Sequence, residues 1–278
     1  MITRHHLVLT LLCTLILCSA VVPGSLLFTL VICLGAGIGT ILPDIQMKTP
    51  HHLKARTIAW TMTRFSSIVC TPLMCRVYRH LAGLTIDSND KRLTHSIPGI
   101  ISLFLIPSAI ILISVSVLMD HAAMVISAAF LGGLLLGLIL HLAEDLCTRK
   151  GISPFFPFST LRISGSIRPC DGTDRRIAQF HYFDCSITGI IFCFLNSGSS
   201  PGLFLLPASI AGLCACLGMM IGSSDVEIRY ENERDGAPVI VHHQITLDPI
   251  SFLGTPRYST QGLMMGIYYY DSHDSSNG

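Results

Sequence analysis

His141 and Asp145 stand four residues apart in the segment His141-Leu-Ala-Glu-Asp145, at the end of an apolar run. On a helix that spacing puts both side chains on one face, about one turn apart. An imidazole nitrogen and a carboxylate oxygen held there can bind a divalent cation with little further loss of side-chain freedom. The N and O donors suit Zn2+, Mn2+ or Fe2+. The same pair also serves as a local ion pair or as a polar helix end. Ionisable groups at the end of the apolar run 122–140 are functional candidates in their own right, because burying them in lipid is costly. Three further residues share this setting: His6 opens the first apolar run, Asp44 closes the second in Ile41-Leu-Pro-Asp44-Ile-Gln46, and His95, between Thr94 and Ser96, precedes the third. Taken singly, His6 reads as a headgroup-level imidazole, Asp44 as a helix cap and His95 as a hydrogen-bonding interfacial residue.

What joins them is the level at which the elements end. Apolar runs occupy residues 7–22, 26–42, 97–119, 122–140, 183–195 and 202–221. Runs near 20 residues match a hydrocarbon core of about 30 Å. Only 13% of the 278 residues are charged and the mean hydropathy is +0.61, whereas soluble domains carry roughly a quarter charged residues. Every Lys and Arg falls on one side of a six-span reading; Pro23-Gly24-Ser25, Asp120-His121 and residues 196–201 carry no base. Basic loops stay in the cytoplasm, so both termini are expected there. Antiparallel spans then bring His6, Asp44, His95 and His141 with Asp145 to one level.

The expected fold is an all-α integral membrane protein of about six transmembrane helices, two N-terminal helical hairpins plus a third pair, with a small strand-rich cytoplasmic tail. Residues 1–160 form the membrane domain that holds the candidate site. Residues 161–222 supply a basic loop and two further helices, and residues 223–278 form the tail. In that tail Val226, Ile228 and Tyr230 alternate with polar residues, as do Val239 and Val241, the pattern of a β-hairpin. Gly35, Gly37 and Gly39 in the second run, and Gly132, Gly133 and Gly137 in the fourth, permit close helix packing. Residues 66–74 are apolar but too short to span and contain Pro72, which fits a core-packing or interfacial helix. The N-terminal run has signal-peptide features around Cys18-Ser19-Ala20, but the next run follows after three residues and favours an uncleaved first span.

Several classes are disfavoured. The 11 cysteines include no CxxC pair, and most lie in apolar runs, so a disulfide framework is not expected. The bases are spread rather than clustered, which argues against nucleic acid as a partner and for a lipid bilayer with anionic headgroups. The chain has no HExxH or Gly-rich phosphate loop. His51-His52 and His242-His243 lack helical partner spacing, Asp120-His121 lies on the opposite side, and His181 with Asp184 forms a candidate accessory pair. Almost no polar group lies at mid-membrane, which disfavours a transporter.

The motifs Ile41-Leu-Pro-Asp44-Ile, Leu93-Thr-His95-Ser96 and His141-Leu-Ala-Glu-Asp145-Leu-Cys-Thr148, with an early His6, Gly151 and the Pro154–Phe158 stretch, resemble a prokaryotic family of inner-membrane proteins described as membrane-bound metal-dependent hydrolases. The resemblance covers about residues 5–160. It implies a divalent-metal site, Zn2+ first and Mn2+ or Fe2+ next, at His6, Asp44, His95, His141 and Asp145. Two positions depart from the family pattern: Gln46 replaces a second Asp, and Asp90-Lys91-Arg92 replaces His-Arg-Gly. Glu144 or Asp90 is the expected general base, and Lys91 and Arg92 are expected to hold a phosphate. The expected activity is hydrolysis at the cytoplasmic face of the prokaryotic inner membrane, on a phosphoester or lipid-linked substrate. The competing expectation is a non-catalytic membrane protein stapled by a structural metal or a polar cluster. A separation of Asp44 from His141 beyond about 10 Å would exclude one mononuclear site, since ligand bonds are about 2 Å.

Overall fold

In lipid a backbone has to satisfy its own N–H and C=O groups, and a helix does so within one segment. The computed structural model describes residues 3–22, 25–45, 65–83, 85–87, 90–118, 120–159, 161–169, 174–196, 202–234 and 237–244. Among these residues α1 spans Thr3–Val21, α2 Leu26–Ile45, α3 Thr71–Ala82, α4 Ile97–Leu118, α5 His121–Leu146, α6 Arg176–Asn196 and α7 Gly202–Gly222. Five of them, α1, α2, α4, α5 and α7, are long and apolar enough to cross a membrane. The protein is thus an all-α membrane protein. The fifth apolar run begins earlier than its apolar residues suggest: α6 takes in Arg176, Gln179, His181 and Asp184 in its first half, and it falls outside the apolar set.

The closest packing is between α2 and α5, and it is built on backbone. A β-carbon on Gly35 would collide with the Phe130 carbonyl, and one on Gly39 with the Leu134 carbonyl. Reciprocally, one on Gly133 would collide with the Ile32 carbonyl and one on Gly137 with that of Ala36. Two small-residue pairs four apart therefore interlock, which lets the helices approach without side chains between them. The Thr40 hydroxyl donates within its helix to the Ala36 carbonyl (2.8 Å) and lies 3.4 Å from the Gly137 carbonyl of α5. Gly37 and Gly132 stand outside the interlock: a β-carbon on Gly132 meets nothing within 4 Å, and one on Gly37 meets only the end of Leu7. Around this pair, Leu42, Cys70, Ile100, Leu103, Leu131, Leu134 and Leu138 form one buried cluster. α1 packs against α2, α6 and α7.

At the basic end the described residues of the loop before α6 are pinned by hydrogen bonds. The expected tail hairpin is present as β2 (Glu227–Arg234) and β3 (Ala237–Gln244). It carries a third strand that the Ser-, Pro- and Arg-rich loop did not suggest, β1 (Leu161–Ser164), antiparallel to β2 with Arg162 opposite Arg229. The Arg176 guanidinium donates to the Asp174 carboxylate, to the hydroxyl and carbonyl of Ser166 and to the Ser223 carbonyl. One side chain thereby ties the loop to the ends of α6 and α7. His51-His52 and Gln46 lie outside the described residues.

The interlock generates a paired expectation. Gly137→Ala forces the α2 backbone away and costs about 1–3 kcal/mol, the usual range for overpacking. Gly132→Ala has open space and gains up to about 1 kcal/mol of helix propensity. Thermal unfolding of the purified protein in detergent should show a lower Tm for the first and an unchanged or higher Tm for the second. Equal Tm values would refute the interlock.

Candidate metal centre

Each helix end contributes one part of a single polar cluster. His6 sits in the first turn of α1 and Asp44 in the last turn of α2. His95 follows a 3-10 turn over Lys91–Leu93, just ahead of α4. His141 and Asp145 occupy the last two turns of α5. The Asp145 carboxylate lies at the centre, 3.3 Å from His6 Nε2, 3.5 Å from His95 Nε2 and 3.6 Å from His141 Nε2. Asp44 Oδ1 is 3.4 Å from His95 Nε2. The rings of His6 and His141 stack with centroids 4.3 Å apart, and His95 meets His141 edge-on at 5.3 Å. Two sets of three donor atoms lie within 4.8 Å of one another, His6 with Asp44 and His141, and His95 with His141 and Asp145. Asp44 and His141 are thus well inside the separation that one metal ion allows.

Hydrogen bonds orient two of the three rings. The His6 Nδ1–H donates to Glu144 Oε2 at 2.5 Å, and the Thr10 hydroxyl, one turn along α1, donates to Glu144 Oε1 at 3.3 Å. The His95 Nδ1–H donates to the Lys91 carbonyl at 3.1 Å, with the Thr94 hydroxyl 3.0 Å away. With Nδ1 protonated in this way, the Nε2 lone pairs of both rings point into the cluster. Thr94 also donates to the Pro43 carbonyl (3.3 Å), which holds the His95 turn against the residue before Asp44. The end of α5 is held in turn: the Thr148 hydroxyl donates to the Asp145 carbonyl (2.8 Å), and Gly151 adopts φ 59° where a β-carbon would strike the Ile163 carbonyl.

His6 and His141 are wholly buried and His95, Glu144 and Asp145 nearly so. The side chain of Asp44 is 14% exposed, which makes it the open edge of the cluster. His6 Nε2 and both ring nitrogens of His141 make no hydrogen bond of acceptable geometry. Buried imidazole nitrogens in that state are unusual, and two of them, His6 Nε2 and His141 Nε2, lie 3.3 Å and 3.6 Å from the Asp145 carboxylate.

The remaining candidates lie elsewhere. Asp90 caps the 3-10 turn and forms an ion pair with Arg92 (2.8 Å). Burial works against its ionisation, but the Arg92 guanidinium and backbone N–H outweigh that and hold the Asp90 carboxyl below its ordinary pKa. Arg92 also lies over the Phe156 ring, 4.6 Å from its centroid. Lys91 contributes its backbone carbonyl to His95. His5 turns away from its neighbour and stacks on His181 at 5.6 Å. Asp184 is buried one turn further along α6, so His181 and Asp184 do not enter the cluster. Asp120 caps α5 at the far end, accepting from the Ala123 N–H at 3.0 Å. Sequence reasoning missed Thr10 and Thr94. Thr10 carried a usable signal, its position four residues after His6; the contact of Thr94 with Pro43 has no local signature.

The family model for the YdjM inner membrane protein matches residues 1–223. The chain belongs to the YdjM inner membrane protein family. The match takes in all seven helices and β1 and ends before β2 and β3, so the YdjM unit carries the whole polar cluster. No curated protein and no solved structure matches the chain.

As a metal centre, this arrangement makes Glu144 an outer partner of His6. Loss of such a partner typically costs 10–100-fold in metal affinity. Glu144→Gln should weaken Zn2+ binding by about that factor, Asp145→Asn should abolish it, and Asp90→Asn should leave it unchanged. Chelator competition on the purified variants reads all three.

Proposed function

We propose that this protein is a membrane-bound, metal-dependent hydrolase acting at the cytoplasmic face of the inner membrane on a phosphoester, such as a lipid-linked one. The observation that carries this reading is the convergence of three imidazoles and two carboxylates from four separate helix ends. The donors fit a divalent cation by chemistry as well as by position. His6 Nε2 and one of the two ring nitrogens of His141, all without hydrogen bonds, would offer lone pairs to a cation, and two carboxylates at helix ends are stabilised by a countercharge. His6, Asp44, His95, His141 and Asp145 would be the ligands, with Zn2+ preferred and Mn2+ or Fe2+ compatible. A cation bound there polarises the scissile group and lowers the pKa of its water.

The chain's own residues divide the remaining work. Glu144, enclosed between His6 and Thr10, sets the His6 tautomer, and of the two carboxylates considered as general base it is the one that touches a ligand residue. Asp90 holds the Arg92 guanidinium, and Arg92 with Lys91, three and four residues before His95, supplies positive charge for a phosphate. Asp44, the partly exposed donor, marks the edge from which a substrate approaches. Placement of this edge on the cytoplasmic side follows from the basic residues that surround it.

A second reading, a metal staple without turnover, is favoured by the burial of four of the five donor residues. Metal content by mass spectrometry and hydrolysis of a panel of phosphoesters, including phospholipids, separate the two. The expected result is about one divalent ion per chain, turnover of at least one phosphoester, and loss of both in His141→Ala. Bound metal without turnover across the panel would favour the staple. Metal-free protein whose stability is unaffected by His141→Ala would sink both.

A further inference from the structure

A second feature at the basic end is independent of the metal chemistry. α3 is a genuine, terminated helix: Pro72 lies in its first turn, and Gly83 closes it at φ 65° with its N–H donating to the Arg79 carbonyl. Its 12 residues reach about 18 Å, too short for a hydrocarbon core of about 30 Å. Cys70, immediately before it, is buried with Leu42 of the last turn of α2 and Ile100 of the first turn of α4. Met74 and Tyr78 continue that buried stripe against Leu93. α3 is therefore seated where two membrane-spanning helices end.

Its apolar arc is wider than this contact uses. Leu73, Val77 and Leu81 recur every four residues beside the buried Met74 and Tyr78, and are 43%, 41% and 72% exposed. Ile68 and Val69 extend the same surface toward the start of the helix. Arg76 and Arg79 are exposed on the polar side, and His80, also exposed, lies about 20° from Leu73 around the helix and borders the apolar stripe. The neighbouring Pro154–Phe158 loop adds Phe155 and Phe158, which are 47% and 61% exposed, and Phe158 packs edge-on against Tyr78 at 6.4 Å. This combination of an outward aliphatic stripe, flanking arginines and exposed aromatics at a span boundary is the chemistry of a helix lying in a lipid interface.

We infer that α3 is an interfacial helix: Leu73, Val77 and Leu81 insert into the leaflet on the basic side of the protein, Phe155 and Phe158 sit beside them among the headgroups, and Arg76 and Arg79 pair with anionic lipid. The occupant of this face is the bilayer itself rather than a second protein. The helix sits at a span boundary, the level of lipid headgroups, and its two arginines complement an anionic leaflet.

The test uses the full chain. Its one tryptophan, Trp60, is replaced in Trp60→Phe, and a reporter is introduced as Leu81→Trp or, separately, Leu73→Trp or Arg79→Trp. Each protein is reconstituted into vesicles of phosphatidylethanolamine and phosphatidylglycerol with brominated acyl chains. Emission from Leu81→Trp and Leu73→Trp should be blue-shifted, lose most of its intensity to the brominated chains and resist acrylamide. Emission from Arg79→Trp, on the opposite side of the helix, should be quenched by acrylamide instead. Replacing phosphatidylglycerol by phosphatidylcholine should reduce the bromine quenching, and Arg76→Gln with Arg79→Gln should remove that lipid dependence. Quenching of the stripe by acrylamide alone, or by neither agent, would overturn the inference, the latter outcome pointing to a protein covering the face. Two reporters at differently exposed positions keep the test available if one variant fails to fold.

Discussion

The structure depends on how closely two backbones approach. Gly35 and Gly39 of α2 lie against carbonyls of α5, and Gly133 and Gly137 of α5 lie against carbonyls of α2. In lipid, helix association draws on packing and polar contacts rather than on water release, so small residues that admit another backbone decide which helices pair. Asp44 follows Gly39 by five residues and His141 follows Gly137 by four. The interlock therefore sets the separation of the two helix ends, and through them the separation of the donors. A larger residue in it would displace Asp44 relative to His141 and Asp145 without touching either.

From that fixed pair the other donors are added by hydrogen bonds. Glu144 and Thr10 clamp His6, and Thr94 fastens the His95 turn to Pro43. Each clamp consumes the Nδ1 side of a ring and leaves Nε2 facing inward, the arrangement usual for metal-ligating histidine. Thr148 and Gly151 hold the α5 terminus, so that Asp145 sits at the centre. The cluster is thus assembled from rigid helix ends, and little side-chain entropy remains to be lost when a cation binds.

The basic end combines two kinds of order. One is the pinned loop, where Arg176 connects Asp174, Ser166 and Ser223 and β1 adds a third strand to the tail hairpin. The other is α3, whose buried stripe roofs the ends of α2 and α4 while its remaining apolar arc faces outward. α3 packs on Leu93 in the turn that delivers His95, and the Pro154 carbonyl accepts from the Ile97 N–H just after that turn.

Much of this was legible in residue order alone. Apolar length and the one-sided distribution of Lys and Arg specify a helical membrane protein, because hydrocarbon thickness and backbone satisfaction leave few other solutions. The i, i+4 spacing of His141 and Asp145 specifies a shared face, because helical periodicity is local. Equally local is the alternation that marks β2 and β3. Other features were not legible. The glycine runs contain Gly35, Gly37 and Gly39, yet Gly37 is not in the interlock, and Gly133 is while Gly132 is not; rotation about the helix axis decides that, and neighbouring helices set the rotation. Charge and position alone made Glu144 a candidate base. Its contacts with His6, 138 residues away in sequence, and with Thr10 arise only when α1 packs beside α5. The start of α6 ahead of its apolar run was hidden because Arg176 bonds to Ser166 and Ser223 and His181 meets the His5 ring, partners in distant segments that no local window contains. Sequence by itself thus determined which residues were available at which membrane level, since that follows from transfer energetics along the chain. Only the tertiary structure decided which of them meet, since that depends on the rotation and approach of helices set by contacts far apart in the chain.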